Sequence, residues 1–183
     1  MEKGGKKMVE VSTSILTMEK GKEAETLLAL EKSKTDYFHI DVMDGNFVEK
    51  DTYHDMVEYS AYIRRISNLP MDVHLMVKDI ETAIEVFSAV EPNIIIFHLE
   101  ACENKEEVMK YITLIKEKGS RVGIAIKPET PIEQVYEYLP YIHTCLVMTV
   151  EPGKGGQTLI TDMIAKISEL KLYTERKNID IDI

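Results

Sequence analysis

Two short stretches of the chain carry side chains suited to metal or proton-transfer chemistry. In FHIDVMDG, an alternating period places His39, Asp41 and Met43 on one face, with Ile40 and Val42 on the other. In MDVHLMV the same period groups Asp72, His74 and Met76 opposite Val73, Leu75 and Val77. Imidazole and carboxylate donors on neighbouring strands suit zinc, iron, manganese or cobalt, and three protein ligands with an open position describe a catalytic centre. Hydrogen-bonded core residues are the other reading, and spacing alone leaves both open. A second feature is MTVEPGKGGQ, residues 148 to 157, between an apolar run and an amphipathic one. Its glycines at 153, 155 and 156 let the backbone approach an anion and present N–H groups to it, although a tight strand-to-helix turn would use them equally well. Ser14, His98, Glu100 and Lys127 fall near predicted strand ends, where substrate contacts and rim hydrogen bonds are both available. Met43, Met76 and Met148 could line a site's mouth or fill core. His54 and His143 have no partner at useful spacing.

These faces require strands, and the chain supplies apolar runs at 8–16, 36–43, 70–77, 93–99, 121–127, 143–150 and 179–183. Between them, segments 21–33, 55–67, 80–90, 104–119, 131–139 and 162–178 place apolar residues three and four apart, which predicts helices. Lys118-Gly119 should close the fourth of these, and Pro131 should open the fifth. Alternating strands and helices imply an α/β fold with a parallel sheet, and the repeat spacing suits a (β/α) barrel. Active-site groups then belong at the C-terminal ends of the strands. No low-complexity linker divides the chain, so residues 1–183 are expected to form a single domain of six βα units and the start of strand seven. A closed eight-fold barrel usually takes about 200 to 250 residues or more, so the expectation is a barrel that is C-terminally incomplete.

Composition excludes other classes. With 22 Lys and Arg against 32 Asp and Glu, the net charge is −10, and no basic patch suits a nucleic acid. No apolar run approaches membrane-spanning length, so no membrane partner is expected. The start, MEKGGKKMVEV, lacks the apolar region of a signal peptide, which points to the cytoplasm. Cys102 and Cys145 are expected as free thiols.

Taken in order, SIL, HIDVMDGNFV, DVHLMV, FHLEA, GIAIKPETP and VMTVEPGKGGQ resemble the ribulose-phosphate 3-epimerase family along nearly the whole chain. The resemblance implies a TIM (β/α)8 barrel of the ribulose-phosphate-binding type and one divalent metal ion (zinc, iron, manganese or cobalt). It also implies interconversion of D-ribulose 5-phosphate and D-xylulose 5-phosphate in the pentose phosphate pathway, through an enediolate and two proton-transferring acids. On that resemblance His39, Asp41 and His74 are metal ligands, and Asp41 is also one of the two acids. Ser14, His74, Met76, Met148 and the loop Gly153, Lys154, Gly155 and Gly156 would contact the sugar phosphate. Such families often form dimers or hexamers, so a homo-oligomer is expected. The second acid is an Asp of an Asp-Gly-Gly motif on strand seven, expected just past Ile183, with Asp180 or Asp182 as possible substitutes. Lys154 stands where Phe is common, and VEKDTYHDM replaces a Pro-Asn stretch. Hexulose-phosphate 3-epimerases acting on allulose 6-phosphate share the HIDxMDG and MTVxPG motifs, and a non-catalytic truncated homologue is the other alternative.

Overall fold

The structure, a computed structural model, describes residues 9–183. Six parallel strands lie side by side in chain order: β1 (Ser12–Ser14), β2 (Tyr37–Met43), β3 (Met71–Met76), β4 (Ile94–His98), β5 (Arg121–Ile126) and β6 (Thr144–Val147). The chain returns between them through α1 (Glu23–Lys32), α2 (Tyr53–Ile66), α3 (Ile80–Ser88) and α4 (Lys105–Glu117), and α5 (Asp162–Lys177) follows β6. Each strand pairing with its sequence neighbour through a helical crossover is the winding of a TIM barrel.

Alternation along the strands divides the interior. Phe38, Ile40, Val42, Val73, Leu75, Ile95, Phe97 and Ile124 are fully buried in one apolar layer shared with Leu27, Ile63, Phe87 and Ile112 of the helices. Burying side chains of this size stabilises the fold by about 1.5–3 kcal/mol each. The opposite face carries a smaller cluster of Ile94, Ile96 and Ala125, flanked by Tyr37 and Leu146. There Arg121 Nη2 donates to Tyr37 Oη at 2.7 Å, joining β5 to β2. In a flat sheet those backbones would stand about 14 Å apart, so the bond marks the curl toward a barrel. Gly123 permits that curl, because a Cβ on it would fall 2.7 Å from Ile96 Cγ1.

Local signals set several ends. Asn104 accepts from the Glu107 amide at 3.0 Å to start α4. Gly119, at φ +88°, ends it in a Schellman turn, with Gly119 N bonded to Lys116 O and Ser120 N to Ile115 O.

The structure departs from the expected elements in three places. In place of one helix over 131–139 there are two 3₁₀ turns, Ile132–Val135 and Leu139–Tyr141. Pro140 cannot donate to a helical ladder and disfavours helical backbone at Leu139, so the nine-residue stretch never completes α-helical turns. The expected strand at 179–183 contributes one parallel bridge, Thr144 to Asp182, in which Cys145 N bonds Asp182 O and Asp182 N bonds His143 O. The strands expected at 8–16 and 143–150 shorten to Ser12–Ser14 and Thr144–Val147. Residues 1–8, including most of the N-terminal segment read for targeting, lie outside the described residues. Cys102 and Cys145 are free thiols, as expected, and burial pushes each up to about 12. Among the described residues no helix is long and apolar enough to cross a membrane.

Candidate active site

The site is built by strand register. β2 pairs with β3 so that His39 sits beside Asp72 and Asp41 beside His74, which assembles four polar side chains on the concave face. His39 Nε2 lies 3.3 Å from Asp41 Oδ1, and His74 Nδ1 lies 3.4 Å from the same oxygen. The other oxygen, Asp41 Oδ2, accepts from Ser14 Oγ at 2.6 Å. Asp41 therefore shows one oxygen to two imidazoles and the other to the hydroxyl at the end of β1.

A further ring of partners surrounds these groups. Asp72 Oδ2 lies 3.0 Å from His39 Nδ1, and Asp72 Oδ1 accepts from Ser12 Oγ at 2.7 Å. His74 Nε2 meets His98 Nε2 at 2.9 Å, and His98 Nδ1 meets Glu100 Oε2 at 3.1 Å. Phe47 lies against the His98 ring at 4.8 Å between centroids, with Lys127 Nζ 4.5 Å from the Phe47 ring. Phe47 reaches that place because Asp44 fastens the loop. Its carboxylate accepts from the Asn46 and Phe47 amides at 2.8 Å and from the Lys78 amide at 2.7 Å.

The electrostatics follow from these contacts. Burial opposes charge on His39, but hydrogen bonds and attraction from Asp41 and Asp72 outweigh it and hold the imidazolium up to about 10. Burial also opposes charge on Asp41, and the neighbouring protonated His39 more than offsets it, so its carboxyl lies well below the usual range. Burial dominates at His74, pushing it down to about 4. Glu100 is held at about 2, where burial is outweighed by hydrogen bonds from His98, Thr130 and the Lys127 amide. At neutral pH the centre thus combines an ionised Asp41, a charged His39 and a neutral His74.

His39, Asp41 and His74 fit a divalent metal ion, since one donor atom from each lies within 4.8 Å of the others. The contacts of 3.3 and 3.4 Å match the edge of about 3.4 Å expected for a tetrahedron with ligand bonds of ~2.1 Å. A cation held there would replace the protonated His39 as the countercharge to Asp41, and His39 would give up its Nε2 proton to become a ligand.

The comparisons agree with this geometry. A family model described as the ribulose-phosphate 3 epimerase family matches residues 10–183. The chain belongs to that family. The ribulose-phosphate 3-epimerase of Bacillus subtilis is 34% identical over 170 residues, covering 93% of this chain and 76% of that protein. The enzyme of the same name from Methanocaldococcus jannaschii is 32% identical over 176 residues, covering 96% and 72%. The chloroplastic ribulose-5-phosphate-3-epimerase of Arabidopsis thaliana is 32% identical over 182 residues, covering 98% of this chain and 63% of that protein.

Within this epimerase fold, the site residues read from the sequence fall into two groups. His39, Asp41 and His74, from within β2 and β3, converge with Ser14 at the end of β1, and Met43 and Met76 are buried at the next positions of the same register. Gly153, Lys154, Gly155 and Gly156 lie on the loop after β6, with Met148 half-buried at its root. Phe47, Val48, Lys50, Lys127, Gly153 and Lys154 line one groove that joins this loop to the one after β2. Asp180 and Asp182 are not part of the His39, Asp41 and His74 cluster. Sequence reasoning missed the roles of Asp72, Phe47 and Asp44 in supporting the site. The Asp44-Gly45 pair was a turn signal for the last two, whereas the Asp72 contact needs the β2–β3 register. His54 and His143 do find partners: His54 lies 3.4 Å from Glu58 on the surface, and His143 Nδ1 accepts from the Val122 amide at 3.3 Å.

Proposed function

We propose that the protein interconverts D-ribulose 5-phosphate and D-xylulose 5-phosphate by inverting C3, with one divalent metal ion held by His39 Nε2, Asp41 Oδ1 and His74 Nδ1. The observation that carries this reading is the division of labour at Asp41: Oδ1 faces both imidazoles while Oδ2 is left with the Ser14 hydroxyl. A proton next to a carbonyl is too weakly acidic for an unaided carboxylate. The ion, whether zinc, iron, manganese or cobalt, would act as a Lewis acid on the sugar's carbonyl and neighbouring hydroxyl oxygens, lowering that barrier by several kcal/mol.

The chain's own groups do the rest. Asp41, held ionised, takes the C3 proton on Oδ2, and the Ser14 hydroxyl steers that oxygen while bonding a sugar hydroxyl. His39 must first surrender its own proton to serve as a ligand, and Asp72 on Nδ1 keeps its ring turned so that Nε2 faces inward. Inversion needs a second acid to return a proton on the opposite face of the planar intermediate, the role that the resemblance gives to the Asp of an Asp-Gly-Gly motif. Met76 and Met148 offer polarisable apolar walls to the sugar carbons. At the far end the amides of Gly153 to Gly156, with Lys154 and Lys127 beside the groove, suit a phosphate.

Incubation of the protein and zinc with D-ribulose 5-phosphate should produce D-xylulose 5-phosphate, and a chelator should abolish the reaction. Allulose 6-phosphate, run in parallel, should turn over more slowly. No epimer of either sugar, with the metal bound, would refute the reading.

A further inference from the structure

A buried hydrogen-bonded chain leads from His74 of the proposed metal centre to β4 and the residues that follow it. From His74 Nε2 it passes to His98 Nε2 at 2.9 Å, and from His98 Nδ1 to Glu100 Oε2 at 3.1 Å. Glu100 Oε1 then accepts from the Lys127 amide at 2.7 Å and from the Thr130 hydroxyl. His74 is 1% exposed and His98 fully buried, so both rings are bonded within the protein interior.

The geometry fixes where the protons lie. Two ring nitrogens 2.9 Å apart must have one N–H and one lone pair between them. The far end of the chain decides which. A carboxylate offers only lone pairs, so His98 donates to Glu100 from Nδ1 and its Nε2 is the acceptor. His74 therefore carries its proton on Nε2. Its Nδ1 lone pair then faces a lone pair of Asp41 Oδ1 across 3.4 Å, a repulsive contact that a cation between them turns into an attraction.

We propose that Glu100 is a positioning residue: acting through His98, it fixes the one His74 tautomer that can offer Nδ1 to a divalent cation. The inference rests on the metal reading above and adds to it a carboxylate two residues removed from any ligand atom. Phe47 packs on the His98 ring at the middle of the chain, and Lys166, whose Nζ donates to the carbonyls of Pro128 at 2.6 Å and Thr130 at 2.7 Å, holds the loop at its Glu100 end.

Glu100→Gln tests the direction of the chain. The Lys127 amide and Thr130 hydroxyl still need an acceptor, so the new amide turns its oxygen toward them and its nitrogen toward His98. That donor reverses His98 and, through it, His74, leaving a proton on the nitrogen meant for metal. In ¹⁵N NMR of the metal-free protein at pH 7, the wild type should show His74 protonated on Nε2 and His98 on Nδ1, and Glu100→Gln should show both exchanged. Zinc affinity, read by chelator competition, should fall about 10- to 100-fold in the variant. Thr130→Val keeps the carboxylate and should leave both tautomers as in the wild type. A wild-type His74 protonated on Nδ1, or a Glu100→Gln chain with unaltered tautomers and zinc affinity, would overturn the inference alone. The wild-type spectrum decides the direction even if Glu100→Gln does not fold. Tautomers as expected with no zinc bound by the wild type would instead overturn the metal reading.

Discussion

The rim over β2 to β4 and the loop after β6 solve different problems by different means. At the rim, His39, Asp41, Asp72, His74, His98 and Glu100 are fixed by one another through contacts of 2.9 to 3.4 Å, and both His74 and His98 are buried. In the loop, Lys154 to Leu159 are exposed, and the path is set by glycine backbone, Gly153 at φ +101° and Gly156 at φ +70°, and by the Gln157 side-chain Nε2 donating to Glu151 O at 2.6 Å and Lys154 O at 2.8 Å. Charged chemistry needs donors held before the substrate arrives, because their reorganisation would add to the barrier. On the proposed function, a doubly charged phosphate would be met by the amides of Gly153 to Gly156 and by Lys154 and Lys127. The difference teaches that changes at the rim should act on the chemical step and on metal, while changes in the loop should act on substrate binding.

The largest effect expected is on metal binding with pH. His39 is protonated up to about 10 in the metal-free site, and a bound ion must displace that proton. Apparent zinc affinity should therefore rise about tenfold for each pH unit above 7, levelling as pH approaches the value at which His39 is already neutral. Competition with a chelator of known pH dependence measures the slope, and a flat profile would mean that His39 carries no proton for the ion to displace. Gly153→Ala comes next. Its φ of +101° is strained for alanine, and the added Cβ would stand 3.0 Å from Val48 Cβ. KM for the sugar phosphate should rise about tenfold with kcat and zinc affinity unchanged, since a distortion confined to the loop weakens binding alone. An equal fall in kcat would blur the division between the two regions. The smallest effect belongs to Lys154→Ala, where loss of one exposed charge should raise KM about threefold at low salt and less at high salt.

Much of the rim was legible in the sequence because a strand's alternation is local. His39 with Asp41, and Asp72 with His74, follow from a period of two within single segments. What joins those segments is not local. The contact of Asp72 with His39 exists because Phe38 pairs with Met71 and not with a neighbour one residue along, and nothing within either strand announces that register. The His74–His98–Glu100 chain is hidden for the same reason, since it crosses from β3 to β4 and on to the loop after β5. The helix expected at 131–139 failed where local propensity met a second proline, Pro140, whose effect on the preceding residue the apolar periodicity does not reveal. Phe47 reads as an apolar loop residue until the Asp44 carboxylate is seen folding that loop over His98.

The central claim is that Asp41 moves the C3 proton beside a metal held by His39 and His74. Proton NMR of D-ribulose 5-phosphate in D2O with zinc and either the wild type or Asp41→Asn tests it directly. The wild type should exchange the C3 proton for deuterium as D-xylulose 5-phosphate appears, and Asp41→Asn should slow that exchange by about 10²- to 10⁴-fold. Exchange that proceeds undiminished in Asp41→Asn would contradict the account.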